Sequence, residues 1–142
     1  MNDEFFAEFD ALFASLARKA KPGSFEPNAD MYLSADGRSL LVNVEIAGGD
    51  PAELRVMVEE RRLYILGRRI DRESAARGSV LMKEIAYGDF VKRFHLPVAV
   101  AYDDASASYR DGILTIRLPV SEDSLLPARR TEIRMTVKRI PA

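Results

Sequence analysis

Between residues 28 and 119 the chain alternates apolar and polar positions in short bursts. Leu40, Val42, Val44 and Ile46 alternate with Leu41, Asn43 and Glu45, and Leu54, Val56 and Val58 alternate with Arg55, Met57 and Glu59. A short apolar run, residues 63–66, ends at Gly67; segments 80–86 and 90–96 follow, and then a pair of alternating segments joined by Asp111-Gly112. Period two predicts strands with one buried face. Asp-Gly suits the type I′ turn of a two-residue hairpin, because glycine tolerates positive φ. After that turn Leu114, Ile116 and Leu118 share a face, and Pro119, which cannot donate to a ladder, ends the strand. Further turn signals fall at Asp36-Gly37, Gly48-Gly49-Asp50-Pro51 and Gly88-Asp89. Seven or eight short strands at this spacing predict an all-β chain, an immunoglobulin-like antiparallel β-sandwich. No helical stretch separates them, which argues against a parallel α/β sheet.

The two ends follow other patterns. In residues 2–20, Phe5, Phe6, Phe9, Leu12, Phe13 and Leu16 recur at steps of three and four, the period of an amphipathic helix. Asn2 suits its cap, Asp3 and Glu4 its positive end, and Arg18 and Lys19 its negative end. Such a stripe serves either as a face packed on its own domain or as an interaction surface. Lys21-Pro22-Gly23-Ser24 reads as a linker that lets the helix detach. Residues 69–79 are charged and small, an exposed loop. Past residue 120 the pattern breaks, and Ile133, Met135 and Val137 then alternate with Arg134, Thr136 and Lys138. That is a strand without an obvious partner nearby, suited to an exposed sheet edge or, equally, to a frayed end. The chain therefore divides into an N-terminal arm (1–25), a sandwich (26–120) and an extended C-terminal tail (121–142).

Composition narrows the function. A chain of 142 residues is one domain by length, burying roughly two thirds of its unfolded surface. The net charge is −1, so nothing global steers it to nucleic acid or an anionic membrane. There is no cysteine, hence no disulfide or thiol chemistry, which fits a reducing compartment. No apolar run approaches the ~20 residues needed to span a bilayer. The start of the chain lacks a basic segment before an apolar core, so no signal peptide is expected and the cytoplasm is the default location. The one histidine, His95, has opposite strand parity to Phe94 and Leu96 and lacks partners for general-base work. Asp103 and Asp104 are neighbours on an extended chain and point apart, so no metal site is expected. Gly48-Gly49 lacks the spacing of a phosphate loop, and the basic tail lacks the interleaved aromatics of a nucleic-acid surface. Neither an enzyme nor a cofactor is indicated.

Taken in order, five segments resemble the α-crystallin domain of the small heat-shock proteins, the Hsp20 family. Pro27-Asn28-Ala29-Asp30-Met31-Tyr32 is similar to its P-x-x-D-(I/M) opening, and Val44-Glu45-Ile46-Ala47-Gly48 to v-d-l-P-G. Residues 63–69 are similar to L-x-I-x-G-e-R, residues 87–97 to y-G-x-F-x-R-x-F-x-L-P, and residues 107–119 to A-x-x-x-n-G-v-L-x-i-x-l-P. The resemblance covers about two thirds of the chain. Ala47 replaces the usual proline, and Lys92 a common arginine, whose forked pairing an ammonium cannot make. The family's I-x-I or I-x-V tail motif is matched by Ile133-x-Met135 or by Met135-x-Val137, the second favoured by the following Lys138.

The resemblance implies an ATP-independent holdase that binds partly unfolded clients. Phe5, Phe6, Phe9, Leu12 and Phe13 become the expected client-contact residues. It implies a homodimer made by exchanging a strand that carries Val80, Leu81, Met82 and Ile85, with Lys92 near the interface. It implies that the tail motif docks on a neighbouring dimer, in a groove lined by Leu54, Val56 and Val58 on one side and Ser106 and Ala107 on the other. The short arm implies dimers or modest assemblies. The alternative is a co-chaperone or assembly module of the related CS/p23 type, which shares the sandwich but usually lacks both the swapped strand and the tail motif.

Overall fold

In the computed structural model, residues 7–8, 10–15, 25–73, 78–121, 130–133 and 135–137 are described. Seven strands lie between residues 29 and 119: β1 (Ala29–Leu33), β2 (Ser39–Glu45), β3 (Arg55–Glu59), β4 (Arg62–Arg69), β5 (Gly88–His95), β6 (Ser106–Arg110) and β7 (Ile113–Pro119). Two more, β8 (Arg130–Glu132) and β9 (Met135–Val137), come from the tail. One sheet has the order β1-β2-β7-β6-β9, and the other β5-β4-β3-β8. Every pairing is antiparallel except β6 with β9.

The alternating residues build the core. Leu40, Val42, Val44, Leu114, Ile116 and Leu118 from one sheet meet Val56, Val58, Leu63, Ile65 and Phe90 from the other, all buried. Each such side chain contributes roughly 1.5–3 kcal/mol by leaving water. Phe25, the last residue of the expected arm, is also buried, edge-on to Phe90 at 5.3 Å, so it packs with the core.

The turns explain the register. Asp111 and Gly112 both have positive φ, 53° and 79°, and Arg110 faces Ile113 across them, a two-residue hairpin of the expected kind. At Gly48 (φ 74°) the chain turns into a 3-10 turn, Pro51–Glu53, capped by the Asp50 carboxylate accepting from Ala52 N–H at 3.0 Å. Gly88-Asp89, expected as a turn, instead opens β5: Gly88 faces Arg69, and Asp89 pairs with Arg68 at 2.5 Å. The β3–β4 turn carries no glycine. Glu60 takes φ 55° there, and tertiary bonds hold it: Tyr102 Oη donates to Glu60 O at 2.8 Å, and Arg61 Nε to Leu96 O at 3.1 Å.

Candidate functional site

On one side of the sandwich, β3 and β6 are the last strands of their sheets before the tail. Leu54, Val56, Val58 and Ala107 are buried there and Ser106 is exposed. Edge strands present unpaired N–H and C=O groups, and the tail takes up both rows. β8 runs antiparallel to β3, with Met57 facing Glu132. Ile133 N–H then donates to Val56 O at 2.9 Å, and its side chain, 4% exposed, joins the core. β9 continues parallel to β6, Met135 facing Ala107 and Val137 facing Tyr109. The tail was expected as one strand and is two, because the two lips of the groove belong to different sheets and the chain must cross between them. Both lips belong to the same chain as the tail. Beside the groove Tyr109 is buried, which raises its phenol pKa, and its hydroxyl donates to Ile46 O at 2.6 Å.

A second apolar surface stands out from the sandwich. Val80, Leu81, Met82 and Ile85 are 62%, 96%, 77% and 59% exposed. Segment 80–86 was expected as a strand, but residues 78–87 form none, since a strand needs a ladder partner and the single chain provides none there. The base of this loop is nonetheless fixed. Arg69 Nε donates to Ala86 O at 3.0 Å and Nη1 to Ala47 O at 3.4 Å, while its guanidinium lies 3.7 Å above the Phe25 ring. Lys92, expected with these loop residues, sits on β5 opposite Ile65 and pairs with Glu26 at 3.5 Å.

Of the five residues expected to contact clients, Phe5, Phe6 and Phe9 lie outside the described residues. Residues 10–15 are helical; Leu12 is exposed, and Phe13 is half-buried on the outer face of the β5-β4-β3 sheet. Its ring meets Tyr64 edge-on at 5.4 Å, and the Arg93 guanidinium lies 5.7 Å from its centroid. Under it Met57 and Leu66 are both 1% exposed, with Tyr64 and Val91 packed beside them. Alternation assigned Met57 to the solvent face of β3. The available signal was that Met57, Tyr64, Leu66 and Val91 all have outward parity and are all large.

His95 is exposed, and Asp103 and Asp104 sit on an exposed 3-10 turn, Tyr102–Asp104. No group of three or more His, Cys, Asp or Glu among the described residues is placed to hold a metal ion, and no described helix is long and apolar enough to cross a membrane. What the geometry offers is edge and surface for binding polypeptide.

The model of the Hsp20/alpha crystallin family matches residues 34–137. The alpha-crystallin of Mycobacterium tuberculosis is 35% identical over 124 residues, covering 82% of this chain and 81% of its own. The crystal structure of a small heat-shock protein from Xylella fastidiosa, titled as revealing a distinct high order structure, aligns with a TM-score of 0.61 at 27% identity, covering 75% of this chain and 94% of its own. Heat shock protein 16.0 from Schizosaccharomyces pombe shares the fold with a TM-score of 0.65 at 22% identity, over 75% and 96% of the two chains.

Proposed function

Because the chain belongs to the Hsp20/alpha crystallin family, whose members are chaperones, we propose that it is an ATP-independent holdase of the cytoplasm, binding partly unfolded proteins and preventing their aggregation. The edge groove carries this reading. It already holds the chain's own extended tail, through main-chain bonds on both lips and one buried side chain, Ile133. Main-chain bonding of this kind lets one copy take up the tail of another, which is how the proposed holdase would assemble while its arm contacts clients.

Three contacts make up the mechanism. Phe5, Phe6, Phe9, Leu12 and Phe13 cover exposed core residues of a client. Val80, Leu81, Met82 and Ile85 form the strand exchanged between two copies. The open edge that suits it is β1, whose neighbour on one side is β2 and whose Tyr32 and Leu33 are 48% and 49% exposed. Adding a partner's strand there covers both apolar surfaces and removes a free edge. The tail, through Ile133, Met135 and Val137, docks in the groove of Leu54, Val56, Val58, Ser106 and Ala107, and in an assembly the same docking links neighbours.

The test is light scattering of a heat-stressed model client without nucleotide. The wild-type chain suppresses scattering at near-stoichiometric ratios. A variant with Phe5, Phe6, Phe9, Leu12 and Phe13 all changed to serine loses most of that protection while its far-UV spectrum stays that of a folded sandwich. Full protection by the variant rejects the arm as the client surface, and no protection by the wild type rejects the holdase reading.

A further inference from the structure

The outer face of the β5-β4-β3 sheet breaks the rule that the second face of a sandwich sheet is polar. Met57, Tyr64, Leu66 and Val91 fall together there because the register sets Met57 beside Tyr64 on one ladder and Leu66 beside Val91 on the other. Met57 and Leu66 are as dry as core residues, yet they form a cluster separate from the core. The surface lies behind β3, away from the groove that Ile133 enters. Phe13 is seated on it, edge-on to Tyr64 and within reach of Arg93.

We infer that this face is an aromatic-accepting docking site whose occupant is the chain's own N-terminal helix, held through Phe13 and able to leave. The chemistry fits that occupant. A flexible methionine floor adapts to an inserted ring, Tyr64 supplies the edge-to-face partner, and Arg93 supplies a cation. The seating is shallow: Phe13 is only half-buried and Leu12 beside it is exposed. Two such ring contacts each shift an equilibrium by a few-fold to roughly ten-fold, enough to bias the helix towards the sheet without locking it. The site thereby decides whether Phe13 lies against the sheet or is free for other chains. This last consequence rests on the proposed client-binding role; the docking itself does not.

Hydrogen exchange on the full chain tests the docking. Phe13→Ala removes the inserted ring and Met57→Ala removes the floor, and each should speed amide exchange over residues 10–15 by about ten-fold. The double variant should be no faster than Phe13→Ala alone, since without the ring the Met57 floor has nothing to hold. Unchanged exchange in both single variants, additive effects, or a wild-type segment already exchanging at the unprotected rate would overturn the site. Phe13 lies on a surface helix, so Phe13→Ala keeps the test valid even if Met57→Ala weakens the sandwich. Scattering of a stressed client with Met57→Ala, whose arm is intact, separates the two readings: faster exchange with unimproved protection keeps the docking site and removes the arm as client surface.

Discussion

Single residues decide how closely side chains of neighbouring strands fold over one another. Gly67 is buried in β4, and a Cβ there would lie 2.5 Å from Phe90 Cζ and 2.6 Å from Leu54 Cδ2. Gly67→Ala must therefore push Phe90 or Leu54 aside, at about 1–3 kcal/mol for an overpacked core. Urea denaturation should show a lower midpoint at unchanged slope, and an unaltered midpoint would mean that the core yields freely. The glycine stands out in the sequence as the end of an apolar run, but its reason, a ring from β5, arises only in three dimensions. The same contrast separates two turns. Asp111-Gly112 is legible because its chemistry is local, a residue pair suited to positive φ. The turn at Glu60 is not, because Tyr102 and Arg61 hold it through bonds to residues some 35 to 42 positions away.

At the scale of elements, alternation is reliable wherever a strand buries one face and has a partner in its own chain. β2 and β7 follow it directly, as Val42 and Ile116 show. It misleads where pairing is absent, as in segment 80–86, and where a second element covers the outward face, as at Met57. The tail shows a third case. Its apolar residues are legible, but the break between β8 and β9 reflects the gap between two sheets, which no local pattern encodes. Ile133 is the residue that spans that gap. Ile133→Ser should weaken tail docking by about 2–4 kcal/mol, the range for emptying a buried aliphatic site. The check is hydrogen exchange along β3 and β6, whose edge amides should lose protection while the central strands β4 and β7 keep theirs. Equal protection in the variant would show that main-chain pairing alone holds the tail.

For the whole molecule the decisive quantity is how much apolar surface the single chain leaves uncovered. The tail closes the β3 and β6 side, and Phe13 covers Met57 and Leu66 on the outer face of one sheet, whereas among the described residues nothing covers the loop at 80–85 or pairs with the outer edge of β1. Leu81 at 96% exposure gains nothing from the fold it belongs to, which suits the proposed exchange of this segment between two copies. A stable interface needs about 800 Å² from each partner. Four exposed apolar side chains on an arm that projects from a base fixed by Arg69, meeting Tyr32 and Leu33 on β1, suit such a surface when exchanged reciprocally. Changing Val80, Leu81 and Met82 together to aspartate should convert dimers to monomers in sedimentation at micromolar concentration. Because these side chains are exposed in the single chain, the fold should hold, each surface change shifting stability by no more than about 0.5 kcal/mol. A variant that sediments as a dimer would place the interface elsewhere. One that unfolds would show that the loop already packs on its own sandwich, against the exposure it has here.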